Sequence, residues 1–219
     1  MIKKIFDPIN YHNFDHTKLE HNVIGWNGNN DIFKEIIYGF LAPPKNILEL
    51  GTWYGQSAIN MGHIIKDINK SCNIVCIDTW LGSLEFIGLY ETDEERKLLP
   101  MYGYPRAFYQ FLANIKYENL EDIIVPFPQT TTLGCKWLKL HNYSFDMIYV
   151  DGSNELSDVT NDIKFAWLLL EEGGIIFGDD YNHGSFPGVT MAVNKFTIDK
   201  NLKLIIKDNF WIIKKIHNE

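Results

Sequence analysis

The sequence predicts an α/β fold in which a seven-stranded, mostly parallel sheet carries helices on both faces and ends in an antiparallel hairpin. Short apolar runs alternate along the chain with segments of helical periodicity. The runs lack the polar alternation of half-exposed strands, as expected when a parallel sheet is covered on both faces. The last two runs, residues 204–206 and 211–213, are so close together that only a hairpin can join them.

Each element follows from its own residues. The first helix is predicted over residues 32–41 and is ended by Pro43 and Pro44. The strands are predicted at residues 47–50, 74–78, 123–125, 147–150, 175–177, 204–206 and 211–213. The helices between them are predicted over residues 58–68, 105–115, 133–140, 156–170 and 189–196, and the fourth of these is expected to stop at Gly173 and Gly174.

The periodic pattern divides the chain into regions. Residues 31–219 are predicted to form a single domain, and residues 1–30, polar and without a period, an N-terminal arm or cap. Residues 80–104 are too long for a plain connection and are rich in aromatic side chains, which indicates a lid-like insertion. Aromatic faces suit a sugar ring or a flat phenol. They suit equally well the packing of the lid onto the domain or onto a second subunit, so a homodimer stays open.

Composition excludes several classes of partner. The 28 acidic and 20 basic residues give a net charge of −8, which repels a polyanion, so we expect no nucleic acid partner. No segment approaches the roughly 18 apolar residues of a membrane span, so we expect no membrane partner. Three cysteines without a CxxC pair indicate a reducing, cytoplasmic setting.

Polar and glycine residues follow the predicted strands, where ligands of parallel sheets bind. The first strand leads into ELGTWYGQS, in which Gly51 and Gly55 allow a ligand to approach the backbone at a helix N-terminus. The spacing lacks the G-x-G-x-x-G of a dinucleotide site and the lysine of a phosphate-binding loop. Asp78 ends the second strand 27 residues after Gly51, where a carboxylate suits a ribose diol.

Together these features resemble the class I S-adenosylmethionine-dependent methyltransferases, which have a Rossmann-like fold. In that family an E-x-G-x-x-x-G turn receives the amino-acid part of the cofactor, and the acidic end of the second strand holds the ribose. The resemblance implies a cofactor site formed by Glu49, Gly51, Trp53, Gly55, Ser57, Asp78, Trp80, Gln129 and Asp151. Gln129 is expected near the adenine.

A finer resemblance is to the metal-dependent macrocin and sugar O-methyltransferases, and also to catechol O-methyltransferase. It depends on residues 145–153 (FDMIYVDGS) and 173–181 (GGIIFGDDY). Asp151, Asp179 and Asp180 end adjacent predicted strands, and three converging carboxylates repel one another without a cation. All-oxygen ligands favour Mg²⁺ or Mn²⁺. The resemblance implies that the three aspartates are metal ligands and that Asp151 and Asp179 are also catalytic.

The sequence departs from this family at the general base. Relatives carry His or Lys three residues after the metal aspartate, whereas this chain has Asn154, and a neutral amide is no base. The metal can acidify the bound hydroxyl by itself, another residue such as His183 can be the base, or the protein can bind cofactor without turnover.

The sequence therefore leads to one main expectation and two alternatives. The main one is a metal-assisted O-methyltransferase that uses S-adenosylmethionine and acts on a hydroxyl of a sugar or small polyol. The alternatives are a methyltransferase for a phenolic or other natural-product hydroxyl, and a non-catalytic S-adenosylmethionine-binding protein on the same fold.

Overall fold

A seven-stranded sheet forms the centre of the protein. The computed structural model describes residues 5, 8–23, 30–68, 71–82, 100–101 and 104–216. Its strands are β1 (Asn46–Leu50), β2 (Asn73–Asp78), β3 (Pro100–Met101), β4 (Tyr104–Pro105), β5 (Ile124–Pro128), β6 (Phe145–Val150), β7 (Leu170–Gly178), β8 (Leu204–Lys207) and β9 (Phe210–Lys214). The main sheet has the order β5-β2-β1-β6-β7-β9-β8, and β3 and β4 form a separate antiparallel pair.

The topology of this sheet places its binding edge. Strand β1 pairs in parallel with β2 and with β6, while β7 pairs antiparallel with β9, and β9 with β8. The predicted sheet with its terminal hairpin is thus confirmed. From β1 the chain builds outward through β2 to β5 and then returns to the other side of β1 with β6, so the strand order switches between β1 and β6. A ligand of such a sheet binds where the carboxyl ends of those two strands diverge.

Helices cover both faces of the sheet. They are α1 (Pro8–Asn13), a 3₁₀ turn (His16–Lys18), α2 (Asn30–Tyr38), α3 (Gln56–Ile68), α4 (Ala107–Tyr117), α5 (Thr131–Leu140), α6 (Leu156–Leu169) and α7 (Pro187–Lys200). Ile47 of β1 joins a core shared with α2, α3 and α4, and the next residue, Leu48, joins a second core shared with α5, α6 and α7. This alternation follows from the period of two in a strand. Within the described residues, every helix lacks the combination of length and hydropathy that a membrane crossing requires.

Three predicted boundaries are wrong. The fourth helix between strands does not reach Gly173: α6 ends at Leu169, and Leu170 has extended backbone angles and pairs with Phe145 as the start of β7. Strand pairing overrides the helical periodicity there, and Gly173, with a φ of 81°, sits within the irregular part of β7. Helix α4 begins at Ala107 because Pro105 belongs to β4, and α2 ends at Tyr38, short of residue 41.

The N-terminal arm is structured where it is described. Helix α1 and the 3₁₀ turn lie against α4, whose polar side chains hold the arm's backbone. Gln110 Nε2 donates to the carbonyl of Glu20 at 2.8 Å, and Lys116 Nζ donates to the carbonyl of Tyr11 at 2.9 Å. Tyr11 is also buried in the core, and Phe14 and Val23 pack against that core, but three apolar residues are too few to give the arm a hydrophobic period. Residues 24–29, 83–99 and 102–103 lie outside the described residues, so the predicted lid of residues 80–104 stays a prediction.

Candidate active site

The loop after β1 lies at the switch point of the sheet. Gly51 has a φ of 83°, and its amide donates to the carbonyl of Ile77 at 2.9 Å. A Cβ at this position would lie 2.1 Å from the carbonyl oxygen of Asp151. Only glycine fits both the backbone angle and this approach between the β1 and β6 loops. The predicted glycine turn therefore exists for a steric reason that involves a second strand end.

Asp78 ties the same loop to the end of β2. Its Oδ2 accepts hydrogen bonds from the amides of Thr52 at 2.9 Å and Trp53 at 2.8 Å, and its Oδ1 accepts from the amide of Trp80 at 2.6 Å. Three backbone donors on one carboxylate hold the loop in its turn. Each carboxylate oxygen has more than one acceptor direction, so the predicted contact with a ribose stays a prediction.

Glu49 is fully buried beneath the loop. Thr52 Oγ1 donates to it at 2.8 Å, Ser57 Oγ donates to its other oxygen, and Cys76 Sγ lies 3.3 Å away. Burial raises the pKa of Glu49 to about 7, against the opposing effect of these donors. The carboxyl group orients Thr52 and Ser57 at the start of α3. Direct contact of Glu49 or Ser57 with a cofactor stays a prediction.

Two tryptophans and a glycine complete the loop. Trp80 is 1% exposed, and its indole Nε1 donates to the carbonyl of Trp53 at 2.7 Å. Its ring packs against Phe111 at 5.0 Å, and the same Phe111 ring lies 3.0 Å from where a Cβ of Gly55 would stand. Trp80 therefore supports the loop from below, because it has almost no surface for a ligand. Its predicted contact with the cofactor, like that of Trp53, stays a prediction.

Gln129 lies at the carboxyl end of β5, beside Asp78. Its amide donates to the carbonyl of Asp78 at 3.0 Å, and its side-chain Oε1 accepts from the amide of Thr130 at 2.8 Å. The structure thus brings Gln129 next to the loop that carries the other predicted cofactor residues. Contact with an adenine stays a prediction.

Three carboxylates converge at the ends of β6 and β7. Asp151, Asp179 and Asp180 each offer an oxygen, and these atoms all lie within 4.8 Å of one another. Tyr149 donates its hydroxyl to Asp151 Oδ2 at 3.0 Å. Burial and the neighbouring carboxylates raise the pKa of Asp179 to about 10, and burial raises the pKa of Asp151 to about 6. In the protein without a cation, the burial and mutual repulsion of these carboxylates are therefore electrostatically unfavourable.

The cluster fits a hard divalent cation. Asp179 is 3% exposed, and its Oδ2 is buried without a hydrogen-bond partner. A buried oxygen without a donor is rare in proteins and indicates a group that completes the site. The ligand atoms are all carboxylate oxygens, the donors that Mg²⁺ and Mn²⁺ prefer. Asp180 has a φ of 58°, a left-handed backbone conformation at the tight turn after β7.

His183 is the predicted candidate for the general base beside the acidic cluster. His183 is exposed, stacks on Phe186 at 4.7 Å and accepts at Nδ1 from the amide of Ser185 at 3.4 Å. Its own amide donates to the carbonyl of Asp180 at 3.2 Å, so the two residues share one turn. Asn154 is half-buried in the loop before α6. The role of His183 as a base stays a prediction.

Sequence reasoning missed two residues that organise this site. Tyr149 supports the acidic cluster, and its place one strand period before Asp151 was the available signal. Asn114 of α4 is fully buried and donates to the carbonyls of Tyr54 at 2.9 Å and Asn22 at 2.7 Å. It therefore links the glycine loop to the N-terminal arm. No local sequence pattern predicts these contacts, because Tyr54 and Asn22 lie 60 and 92 residues from Asn114 in the sequence.

Comparison with known proteins identifies the family. A family model described as a methyltransferase domain matches residues 48–181, which are 134 of the 219 residues and include the glycine loop and the acidic cluster. The chain belongs to this methyltransferase family. The resemblance to class I S-adenosylmethionine-dependent methyltransferases is thereby confirmed, and the protein is an enzyme of that class. No curated protein matches the chain.

Solved structures share the fold of this methyltransferase. One is CalS11, a TDP-rhamnose 3′-O-methyltransferase of calicheamicin biosynthesis, with a TM-score of 0.59, 15% identity and coverage of 84% of this chain and 76% of that one. Another is TomG from Streptomyces achromogenes in complex with S-adenosylmethionine, with a TM-score of 0.59, 14% identity and coverage of 99% and 89%. A third is an O-methyltransferase from Bacillus cereus in complex with S-adenosylhomocysteine, with a TM-score of 0.56, 15% identity and coverage of 99% and 90%. At these identities the likeness shows the fold.

Proposed function

We propose that this methyltransferase moves the methyl group of S-adenosylmethionine to a hydroxyl of a sugar or small polyol, with Mg²⁺ or Mn²⁺ held by Asp151, Asp179 and Asp180. The observation that carries the proposal is the acidic cluster at the ends of β6 and β7, in which Asp179 Oδ2 is buried and unpartnered. A methyltransferase that only bound its cofactor would have no need of three converging carboxylates at this edge.

The reaction asks the protein mainly to position two ligands. In an in-line displacement the bond between the methyl carbon and the sulfur breaks as the acceptor oxygen bonds that carbon, and the hydroxyl gives up its proton. The products are S-adenosylhomocysteine and a methyl ether. The glycine loop lies beside the carboxyl end of β6, where Gly51 packs on the backbone of Asp151. Cofactor and acceptor oxygen would thus meet across this contact, and such orientation accounts for much of an enzyme's rate.

A bound divalent cation would supply a Lewis acid that lowers the pKa of an acceptor hydroxyl. This matters here because Asn154 stands where similar enzymes have a base. With the hydroxyl acidified, water or His183 suffices to carry the proton away. Tyr149 would hold Asp151 in place through its 3.0 Å hydrogen bond, and such supporting contacts tune how strongly ligands bind a metal.

The choice of a sugar acceptor is supported by the structural likeness to CalS11, which is a TDP-rhamnose 3′-O-methyltransferase. A phenolic acceptor with vicinal hydroxyls would use the same carboxylates and is the alternative. We also propose a small-molecule acceptor in preference to nucleic acid because of the net charge of −8. A cytoplasmic setting and a homodimer stay predictions.

A titration of metal ions against methyl transfer tests the proposal. The full-length protein is assayed with S-adenosylmethionine, a panel of sugars and catechols, and increasing Mg²⁺ or Mn²⁺. We expect transfer to require the ion, and Asp179→Asn to lose both the metal response and on the order of 10² or more of the rate. Calorimetry should show that this variant still binds S-adenosylhomocysteine, because the glycine loop is untouched.

Asp199→Asn is the matched control, since Asp199 is exposed on α7 and forms its ion pair within the described residues with Lys195. Full metal response and transfer in Asp179→Asn would contradict the proposal. Tight cofactor binding without transfer to any acceptor, with metal present, would instead favour the non-catalytic alternative that Asn154 suggests.

A further inference from the structure

We propose that helix α5 is a docking surface for a partner protein that presents an acidic, amphipathic helix. The surface consists of an exposed apolar stripe, formed by Leu133, Trp137 and Leu140, and of Lys136 and Lys139 beside it. None of these residues belongs to the predicted cofactor or metal site. The proposal therefore goes beyond the proposed function, and it is tested without cofactor, metal or turnover, so failure of that function leaves the result unaffected.

Helix α5 is apolar on two opposite sides. Gly134, Cys135 and Leu138 are buried, and the last two join the core on one face of the sheet. The stripe follows the helical spacing i, i+4, i+7 on the other side, where Leu133 is 54% and Leu140 is 77% exposed. A surface helix ordinarily carries polar residues on its outer side. An apolar stripe there indicates a surface that another molecule covers.

Trp137 is held in place at the centre of the stripe. Its ring stacks on His141 with 3.9 Å between the ring centres and on Tyr143 with 5.9 Å. Phe127 of β5 meets the same ring edge-on at 5.5 Å. The indole is nevertheless exposed to solvent. A large aromatic side chain that is already fixed loses little conformational freedom when a partner binds, and tryptophan is enriched among the residues that dominate binding energy in interfaces.

Lysines border the stripe on the side of α6. Lys136 Nζ lies 5.1 Å from the centre of the Phe165 ring, and Lys139 Nζ donates to the carbonyl of Leu168 at 2.9 Å. Lys164 Nζ lies 5.8 Å from the centre of the same ring. These contacts hold the ammonium groups beside the stripe without neutralising them, because neither an aromatic ring nor a carbonyl carries a full negative charge. The border is therefore positively charged.

Charge distinguishes between the molecules that could cover this surface. Residues 123–145, which contain α5, include no Asp or Glu, although the chain has 28 of them and a net charge of −8. A two-fold dimer would place Lys136 and Lys139 opposite their own copies, and like charges across an interface repel. An anionic membrane would attract the lysines but repel the rest of the protein. A helix with carboxylates beside an apolar stripe matches both the stripe and its border.

Fluorescence anisotropy with labelled synthetic peptides tests the proposal. The probe is a peptide of about 18 residues, or about five helical turns, with leucine at helical spacing and glutamate and alanine elsewhere. One control peptide carries lysine in place of every glutamate. A second control has the composition of the probe in an order that breaks the leucine stripe. Each peptide is titrated with the full-length protein at low and at high salt.

The chain offers matched control variants on α7. Leu140→Gln alters the proposed surface, and Ile198→Gln makes the equivalent change at a residue that is also 77% exposed. Lys136→Gln removes a charge from the border, and Lys200→Gln removes one from a lysine that lies 5.6 Å from the centre of the Phe196 ring. Any difference within each pair therefore reports on the position of the change.

We expect the acidic probe to bind the wild type with a Kd of about 100 µM or lower, and both control peptides to bind at least about tenfold more weakly. Leu140→Gln should weaken the probe about fivefold or more, because it removes an apolar contact. Lys136→Gln should weaken it about threefold at low salt and less at high salt, since salt screens exposed charges. Ile198→Gln and Lys200→Gln should bind as the wild type does.

Several results would overturn the proposal. These are absence of binding, equal binding of the probe and either control peptide, and unchanged binding of the probe in Leu140→Gln. Sedimentation velocity and phosphatidylserine vesicles test the other occupants. A dimer that dissociates in Leu140→Gln but not in Ile198→Gln would assign the surface to a second copy of the chain. Vesicle binding that is lost in Leu140→Gln alone would assign it to a membrane, and either assignment would replace the acidic helix.

Discussion

Glu49 should make the stability of this methyltransferase depend on pH in an unusual direction. Its carboxyl group is fully buried, and burial raises its pKa from 4.5 to about 7. Because the folded pKa exceeds the unfolded one, the stabilising effect is fully present below pH 4.5 and is lost as the pH rises through 7. A difference of about 2.5 units at about 1.36 kcal/mol each corresponds to about 3 kcal/mol lost over that range.

Glu49→Gln tests this reasoning because the amide keeps the shape and does not ionise. Ser57 and Thr52 carry hydroxyls that can either donate or accept, so the amide can be satisfied in the same place. We expect the variant to be close to wild type near pH 5 and more stable than wild type by up to about 3 kcal/mol at pH 8. Urea unfolding of the ligand-free proteins at several pH values measures both curves.

Other buried acids also titrate in this range, and burial raises the pKa of Asp162 to about 6. Comparing wild type and Glu49→Gln at each pH cancels those contributions, because both proteins share them. Parallel curves across the whole range would refute the assignment of a raised pKa to Glu49. If, in that case, the variant were also the less stable protein at every pH, its carboxyl group would be needed as a hydrogen-bond acceptor.

Three more predictions concern the same site. Gly51→Ala should destabilise the fold by on the order of 3 kcal/mol and abolish S-adenosylhomocysteine binding, because its Cβ would stand 2.1 Å from the carbonyl of Asp151; thermal melts and calorimetry measure both. Asn114→Ala should lower the free energy of unfolding by about 2–3 kcal/mol and also weaken that ligand, since the carbonyl of Tyr54 loses its buried donor; unaltered affinity would contradict this coupling. Tyr149→Phe should reduce Mg²⁺ affinity about tenfold in a metal titration, with cofactor binding retained as the internal control.

The order of elements could be predicted from the sequence because each strand and helix carries its own apolar pattern. Ile47 and Leu48 face opposite cores, and both are fully buried, so β1 lacks the polar alternation of a half-exposed strand. The end of α6 could not be found this way. Leu170 continues the apolar pattern of the helix, and only its pairing with Phe145, 25 residues earlier, turns it into a strand residue.

In the candidate site, too, features set by local sequence could be predicted, and features set by contacts between distant residues could not. The acidic residues at the ends of β6 and β7 could be found because strand ends of a parallel sheet meet at one edge, and the structure brings all three within 4.8 Å. Trp80 illustrates what could not be found. The resemblance implies a cofactor contact for Trp80, which stays a prediction, but the packing of its ring on Phe111, a residue 31 positions later, has no signal in the sequence.

The position of Asn114 has a thermodynamic consequence for the arm. One amide group holds both the carbonyl of Asn22 in the arm and the carbonyl of Tyr54 in the glycine loop. The same side chain therefore holds both segments, and an order gained by one segment favours order in the other to the same extent. If displacement of the arm weakens cofactor binding by a given factor, bound cofactor must favour the docked arm by the same factor. Hydrogen exchange of the arm amides, recorded with and without S-adenosylhomocysteine, measures that factor.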